Sequence, residues 1–127
     1  MKQKRTEPLT ALEILSMFLP AGMLDYFDLV NHISQETCFI LFLEEKSSIP
    51  QEYSHLHLHS KGFFPEIEVR DFPIRGKAVY LRVKRRRWED PETRQSYSRD
   101  WNLVASGTRI TAEFGAFLKA LLGQSCG

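Results

Sequence analysis

The sequence predicts an α+β protein of two layers, a mixed or antiparallel sheet of about five strands with a short N-terminal helix and a C-terminal helix as the other layer. Three observations predict it. Apolar and polar residues alternate through EIEVRDF (66–72) and AVYLRVK (78–84), which is the period of a strand. The run Phe39–Leu43 is apolar on both faces, as in a central strand covered on both sides. Phe114, Phe117, Leu118 and Leu121 recur at helical spacing near the end of the chain. The 127 residues include nine Phe, enough apolar volume for one real core.

Taken in order, residues 1–8 are basic and polar and are expected to be loose. Pro8 to Leu19 reads as a short helix, since Leu12, Leu15, Phe18 and Leu19 share helical spacing and Pro20 and Gly22 end it. LDYFDLVNHI (24–33) and TCFILFLEEK (37–46), joined by the polar turn SQE, read as a β-hairpin. Residues 47–62 read as a polar connector with a short extended piece.

The next hairpin has a register that its side chains dictate. Val69 opposite Leu81 and Ile67 opposite Val83 put Glu68 beside Arg82 and Glu66 beside Lys84 on the other face. A slip of one residue would set carboxylates against Leu81 and Val83. This register leaves Ile74, Arg75 and Gly76 as a three-residue loop with Gly76 in a left-handed position. EDPET (89–93) is a turn, RQSYSRDWNLV (94–104) reads as a third strand with Tyr97, Arg99 and Trp101 on one side, and ASGTR (105–109) as a loop. A helix from about Ala112 to Leu122 closes the chain, with Thr111 as its cap, Glu113 at its positive end and Gly123 as its stop. The expected organisation is a loose basic N-terminus (1–8), an acidic helix-plus-hairpin subdomain and connector (9–62), a basic unit of hairpin, third strand and closing helix (63–123), and a tail (124–127).

The net charge of +1 hides a strong asymmetry. Residues 1–69 hold five Lys/Arg against ten Asp/Glu, and residues 70–109 hold eleven against five. That distribution points to a polyanion-binding segment attached to a neutralising body. Cys38 and Cys126 are too few for a disulfide framework or a four-thiolate metal site, and both read as free thiols in a reducing cytosol. No apolar run approaches the ~20 residues of a membrane span, and MKQKRTEPLT lacks a signal core, so a cytoplasmic protein is expected.

The functional signal is in AVYLRVKRRRWED (78–90). Arg82, Lys84, Arg85, Arg86 and Arg87 crowd one strand, with Arg75, Lys77 and Arg94 nearby. An extended chain rises ~3.3 Å per residue and can follow a phosphate backbone. Arginine adds the bidentate fork that suits phosphate and guanine edges. Tyr80, Trp88, Tyr97 and Trp101 are interleaved and offer stacking. The plainer alternative is a solvated charged face, but only Glu66 and Glu68 oppose the run.

Other chemistry finds little support. His55, His57 and His59 would share a strand face, yet no Cys and no carboxylate closer than Glu52 completes a metal set. Asp25, Asp28, Asp71, Asp90 and Asp100 form no recognisable carboxylate triad. There is no Gly-rich phosphate loop and no Gly-x-Ser-x-Gly. The expectation is therefore a non-enzyme without cofactor, metal or small-molecule substrate.

The stretches GFFPEIEVRDFPIRGKAVYLRVKRRRW, YSRDWNLVASGTR and TAEFGAFLKAL resemble the N-terminal-region protein of a bacterial insertion-sequence transposase of the IS-Aon type, common among Bacteroidetes elements. LPAGMLDYFDL and LFLEEKSSIPQEY resemble it more loosely. In that family a second reading frame carries the catalytic ribonuclease-H-like domain, and the short protein is taken to be the DNA-binding portion of a split transposase. Related single-chain transposases begin with a zinc ribbon in which a similar hairpin lies between two Cys-x-x-Cys pairs. Neither pair has a counterpart here, around HLHLHSKG or within Glu89–Ser96. Packing of Ile67, Val69, Leu81 and Val83 against the closing helix must then replace zinc.

The resemblance implies a non-catalytic DNA-binding subunit that contacts transposon-end duplex DNA through Arg75, Lys77, Arg82, Lys84, Arg85, Arg86 and Arg87, with Trp88 and Arg99 beside them. Its partner would be the catalytic transposase polypeptide. One alternative is a protein–protein adaptor whose basic hairpin docks on that polypeptide without touching DNA, and another is an RNA-binding module.

Overall fold

The structure is a computed structural model that describes residues 8–107 and 112–124. Strands β4 (Ile67–Ile74) and β5 (Lys77–Lys84) form the basic hairpin in the register that the apolar faces demand, with Val69 opposite Leu81, Ile67 opposite Val83 and Glu68 opposite Arg82. The connection is shorter than the expected three-residue loop. Ile74 pairs with Lys77, so Arg75 and Gly76 alone make the turn, with φ of 54° and 77°. The extra residue is taken up earlier, where the register shifts between Asp71 and Ile74. Pro73 has no N–H to give the ladder, which is why the irregularity falls there. Two positive φ values match the twist of a tight hairpin. A Cβ on Gly76 would meet nothing within 4 Å, so only its backbone matters. Gly76→Ala is expected to cost about 1 kcal/mol, read from a urea midpoint.

Upstream, β1 (Phe27–Ser34) and β2 (Cys38–Glu45) form the expected hairpin. The strand expected from residue 24 begins later, because Met23–Tyr26 make one turn of helix, α2. β2 also pairs in parallel with β5, Leu41 opposite Leu81, which gives a four-stranded mixed sheet of order β1-β2-β5-β4. This sheet joins the acidic and basic parts of the chain. β2 is central within it but is not covered on both faces as expected. Leu41, Leu43 and Glu45 are buried on one face, whereas Ile40, Phe42 and Glu44 on the other are only half-buried.

The single sheet of the prediction is in fact two. The arginine strand breaks at Arg85, whose carbonyl accepts the Phe64 N–H at 2.8 Å. β6 (Arg86–Glu89) then joins β3 (His59–Phe63) and the two-residue β7 (Ser96–Tyr97) in a second, antiparallel sheet of order β3-β6-β7. The third strand expected over 94–104 is confined to those two residues. Residues Trp101–Gly107 form a helix, α3, instead. Asp100 starts it, its Oδ1 accepting the N–H groups of Asn102 at 3.0 Å and Leu103 at 3.1 Å.

α1 (Ala11–Phe18) opens on a reciprocal capping box, in which Thr10 Oγ1 accepts the Glu13 N–H and Glu13 Oε1 accepts the Thr10 N–H. α4 (Ala112–Gln124) runs through Gly123, which does not stop it. Its stripe of Phe114, Phe117, Leu118 and Leu121 is buried in one core with Val69, Leu81 and Val83, while Ile67 packs at the margin. The hairpin is therefore held by apolar packing against α4. Leu19, Met23, Phe27 and Trp101 extend the same core toward the N-terminal half. Thr111, Cys126 and residues 1–7 lie outside the described residues, as does the Glu113 side chain.

Candidate nucleic-acid interface

The two-sheet architecture divides the cations that the sequence places on one ribbon. At the apex, Arg75 is exposed. Lys77 lies beside it, with its Nζ donating to the Gln35 carbonyl at 2.8 Å and 4.6 Å from the Phe39 ring centroid. Arg82 and Lys84 sit on the open face of the four-stranded sheet. Arg82 pairs with Glu68 at 3.1 Å and Glu66 at 3.6 Å. Lys84 lies opposite Glu44. These pairs are solvent-screened and contribute little to stability.

Beyond the break Arg86 turns inward, toward a buried carboxylate. Glu45, at the end of β2, is 0% exposed. Its Oε1 accepts the Arg86 backbone N–H at 2.9 Å and its Oε2 accepts Arg99 Nε at 3.0 Å. The Arg86 guanidinium donates to the Glu45 carbonyl at 3.0 Å and to Ser60 Oγ at 2.6 Å, over the Phe63 ring. Arg99 also donates to the Ser48 carbonyl and lies over the Tyr26 and Trp101 rings. Burial pushes the Glu45 carboxyl above its ordinary value, against the pull of Arg86 and Arg99. Burial likewise pulls Arg85 below its ordinary value, with Glu45 opposing. The Arg85 guanidinium lies 5.5 Å from the centroid of the Phe64 ring. Arg87, on the outer side of β6, donates to the Lys61 carbonyl at 3.0 Å and to Ser96 Oγ at 3.3 Å.

Of the predicted contact set, Arg85, Arg86 and Arg99 are thus framework cations around a buried carboxylate, and Trp88 is core at 2% exposure. Of the interleaved aromatics, Trp101 is also buried, and Tyr97 lies against Tyr53 with centroids 5.0 Å apart. Only Tyr80 lies on the open face, with the Arg70 guanidinium 5.7 Å from its centroid. Arg70 is an exposed cation outside the predicted set. Its signal was its position on the polar face of β4, on the same face as Glu68. His55, His57 and His59 do not share a strand, since only His59 lies in β3, and no metal-binding group of His, Cys, Asp and Glu occurs among the described residues.

No helix among the described residues is long and apolar enough to cross a membrane. No family model, curated protein or solved structure matches the chain.

Proposed function

We propose that the chain is a non-catalytic, DNA-contacting subunit of an insertion-sequence transposase, acting in the cytoplasm beside a separate catalytic polypeptide. The resemblance of its sequence supplies the transposase context. The observation that carries DNA contact is the cationic distal half of the β4–β5 hairpin, where Arg75 is exposed at the turn with Lys77 half-buried beside it, and Arg70 is exposed further along β4, opposite Tyr80. The contact surface is accordingly smaller than the arginine run implies. It comprises Arg70, Arg75, Lys77 and Lys84, with Arg82 shared with its glutamates, and it leaves the Glu45 cluster to stability.

The reduction has a measurable consequence. Four phosphate contacts give a plot of log affinity against log salt with a slope of about −3.6, where the full run of seven would give about −6. Arg75→Gln should flatten the slope by about one, because each contact releases its own counterions. Titration of a labelled duplex at several salt concentrations measures both. A slope near zero, or no binding, would end the DNA reading.

A second reading, the adaptor, has an observation of its own. Val30 and Ile33 are exposed on β1, beside half-buried Ile40 and Phe42 on the open sheet face. Such an apolar patch suits a protein partner. Capture of the catalytic polypeptide that persists without DNA and is lost in Ile33→Asp supports this reading.

A further inference from the structure

We propose that the end of the β4–β5 hairpin is an apolar wedge that enters the minor groove of duplex DNA and kinks it. This rests on the DNA-contact reading above and adds the groove and the distortion. Phe72 is 64% exposed. Pro73 follows it, also exposed. Both sit in the irregularity between Asp71 and Ile74, outside the regular ladder, on a strand at the edge of its sheet. A shallow cavity of about 170 Å³, lined in part by Ala116, Phe117 and Ala120, borders Phe72, yet most of the ring remains in water.

The surroundings favour DNA over an apolar protein groove. The segment Arg70–Lys77 holds three cations and one carboxylate, Asp71. Arg75 sits in the exposed turn with φ of 54°, Arg70 is placed against Tyr80, and Lys77 is tied to the Gln35 carbonyl. A phenyl ring and a pyrrolidine ring are thereby presented together on a braced hairpin, with cations on either side to meet the two phosphate strands. Minor-groove proteins use this combination. Phe or Pro parts a base step, and nearby Arg and Lys neutralise the backbone as the duplex bends.

The test uses the full chain and a duplex of about 30 base pairs with a central TA step, which unstacks easily, carrying a donor and an acceptor dye at its ends. Wild-type binding should raise energy transfer, reporting a bend within the range of about 20–90° known for such wedges. Phe72→Ala should bind within about tenfold of wild type, since phosphate contacts carry the affinity, but should lose the rise. Phe72→Leu should retain it, because leucine also parts base steps. Unchanged melting of both variants establishes that the exposed ring was not holding the fold. Binding by wild type without a rise, or a full rise with Phe72→Ala, overturns the wedge and leaves DNA contact standing. Absence of all binding removes both. Loss of capture of the catalytic polypeptide by Phe72→Ala, with bending unchanged, assigns the ring to a protein interface and also overturns the wedge.

Discussion

Glu45→Ala should lower the stability of the chain by about 3–5 kcal/mol at neutral pH, the usual cost of removing one side of a buried ion pair. The carboxylate is the common acceptor for a backbone N–H of β6 and the Arg99 side chain, which is itself only 10% exposed. Deleting it leaves two donors without their acceptor and a guanidinium without its counter-charge. The cluster is not for that reason a strong net stabiliser. Burial raises the Glu45 carboxyl above its ordinary 4.5, so desolvation outweighs the attraction of its arginines. A carboxyl with a raised pKa holds its proton more tightly folded than unfolded. Its contribution therefore favours folding most below 4.5 and is lost as pH rises through the folded value. Urea midpoints across that range should show the decline in wild type and not in Glu45→Gln. Replacing the whole cluster with apolar residues, Glu45→Leu with Arg86→Met and Arg99→Met, should recover most of the stability lost in Glu45→Ala. A Glu45→Ala protein as stable as wild type would show that the cluster does not hold the two sheets.

This cluster also explains where the sequence was legible and where it was not. The hairpin register follows from a local rule, apolar opposite apolar, and the structure obeys it at the Ile67–Val83 and Val69–Leu81 pairs, short of the shift before Ile74. The closing helix follows from its own periodicity, and all four stripe residues are buried. The break at Arg85 follows from no local rule. It depends on Glu45, about forty residues earlier, arriving inside the fold to accept the Arg86 N–H that would otherwise continue the ladder. Counting charges along the chain cannot separate an arginine that faces water from one that faces a buried carboxylate. The run Arg85–Arg87 therefore reads as surface in one dimension and divides in three. By contrast, the capping signals were present: Thr10 stands three residues before Glu13, and Asp100 stands directly before Trp101. At Asp100, the alternation of Tyr97, Arg99 and Trp101 imitated a strand and masked the cap.

Trp101→Ala should cost about 3–5 kcal/mol, the range for emptying a buried aromatic site. Trp101 is 3% exposed. It stacks on Phe27 at 5.3 Å between centroids and 11° between planes, and meets Tyr26 edge-on at 5.6 Å. It lies beneath Arg99 as well, so its loss also loosens the side chain that anchors Glu45. Trp101→Phe should cost much less, below about 2 kcal/mol. The indole N–H is buried without a hydrogen-bond partner among the described residues, and phenylalanine removes that unmatched donor while keeping a ring against Phe27. Trp88 has the same unmatched N–H, and Trp88→Phe should behave alike. Denaturation of the three variants separates packing from polarity. If Trp101→Phe proves as damaging as Trp101→Ala, the ring stacking contributes less than the N–H.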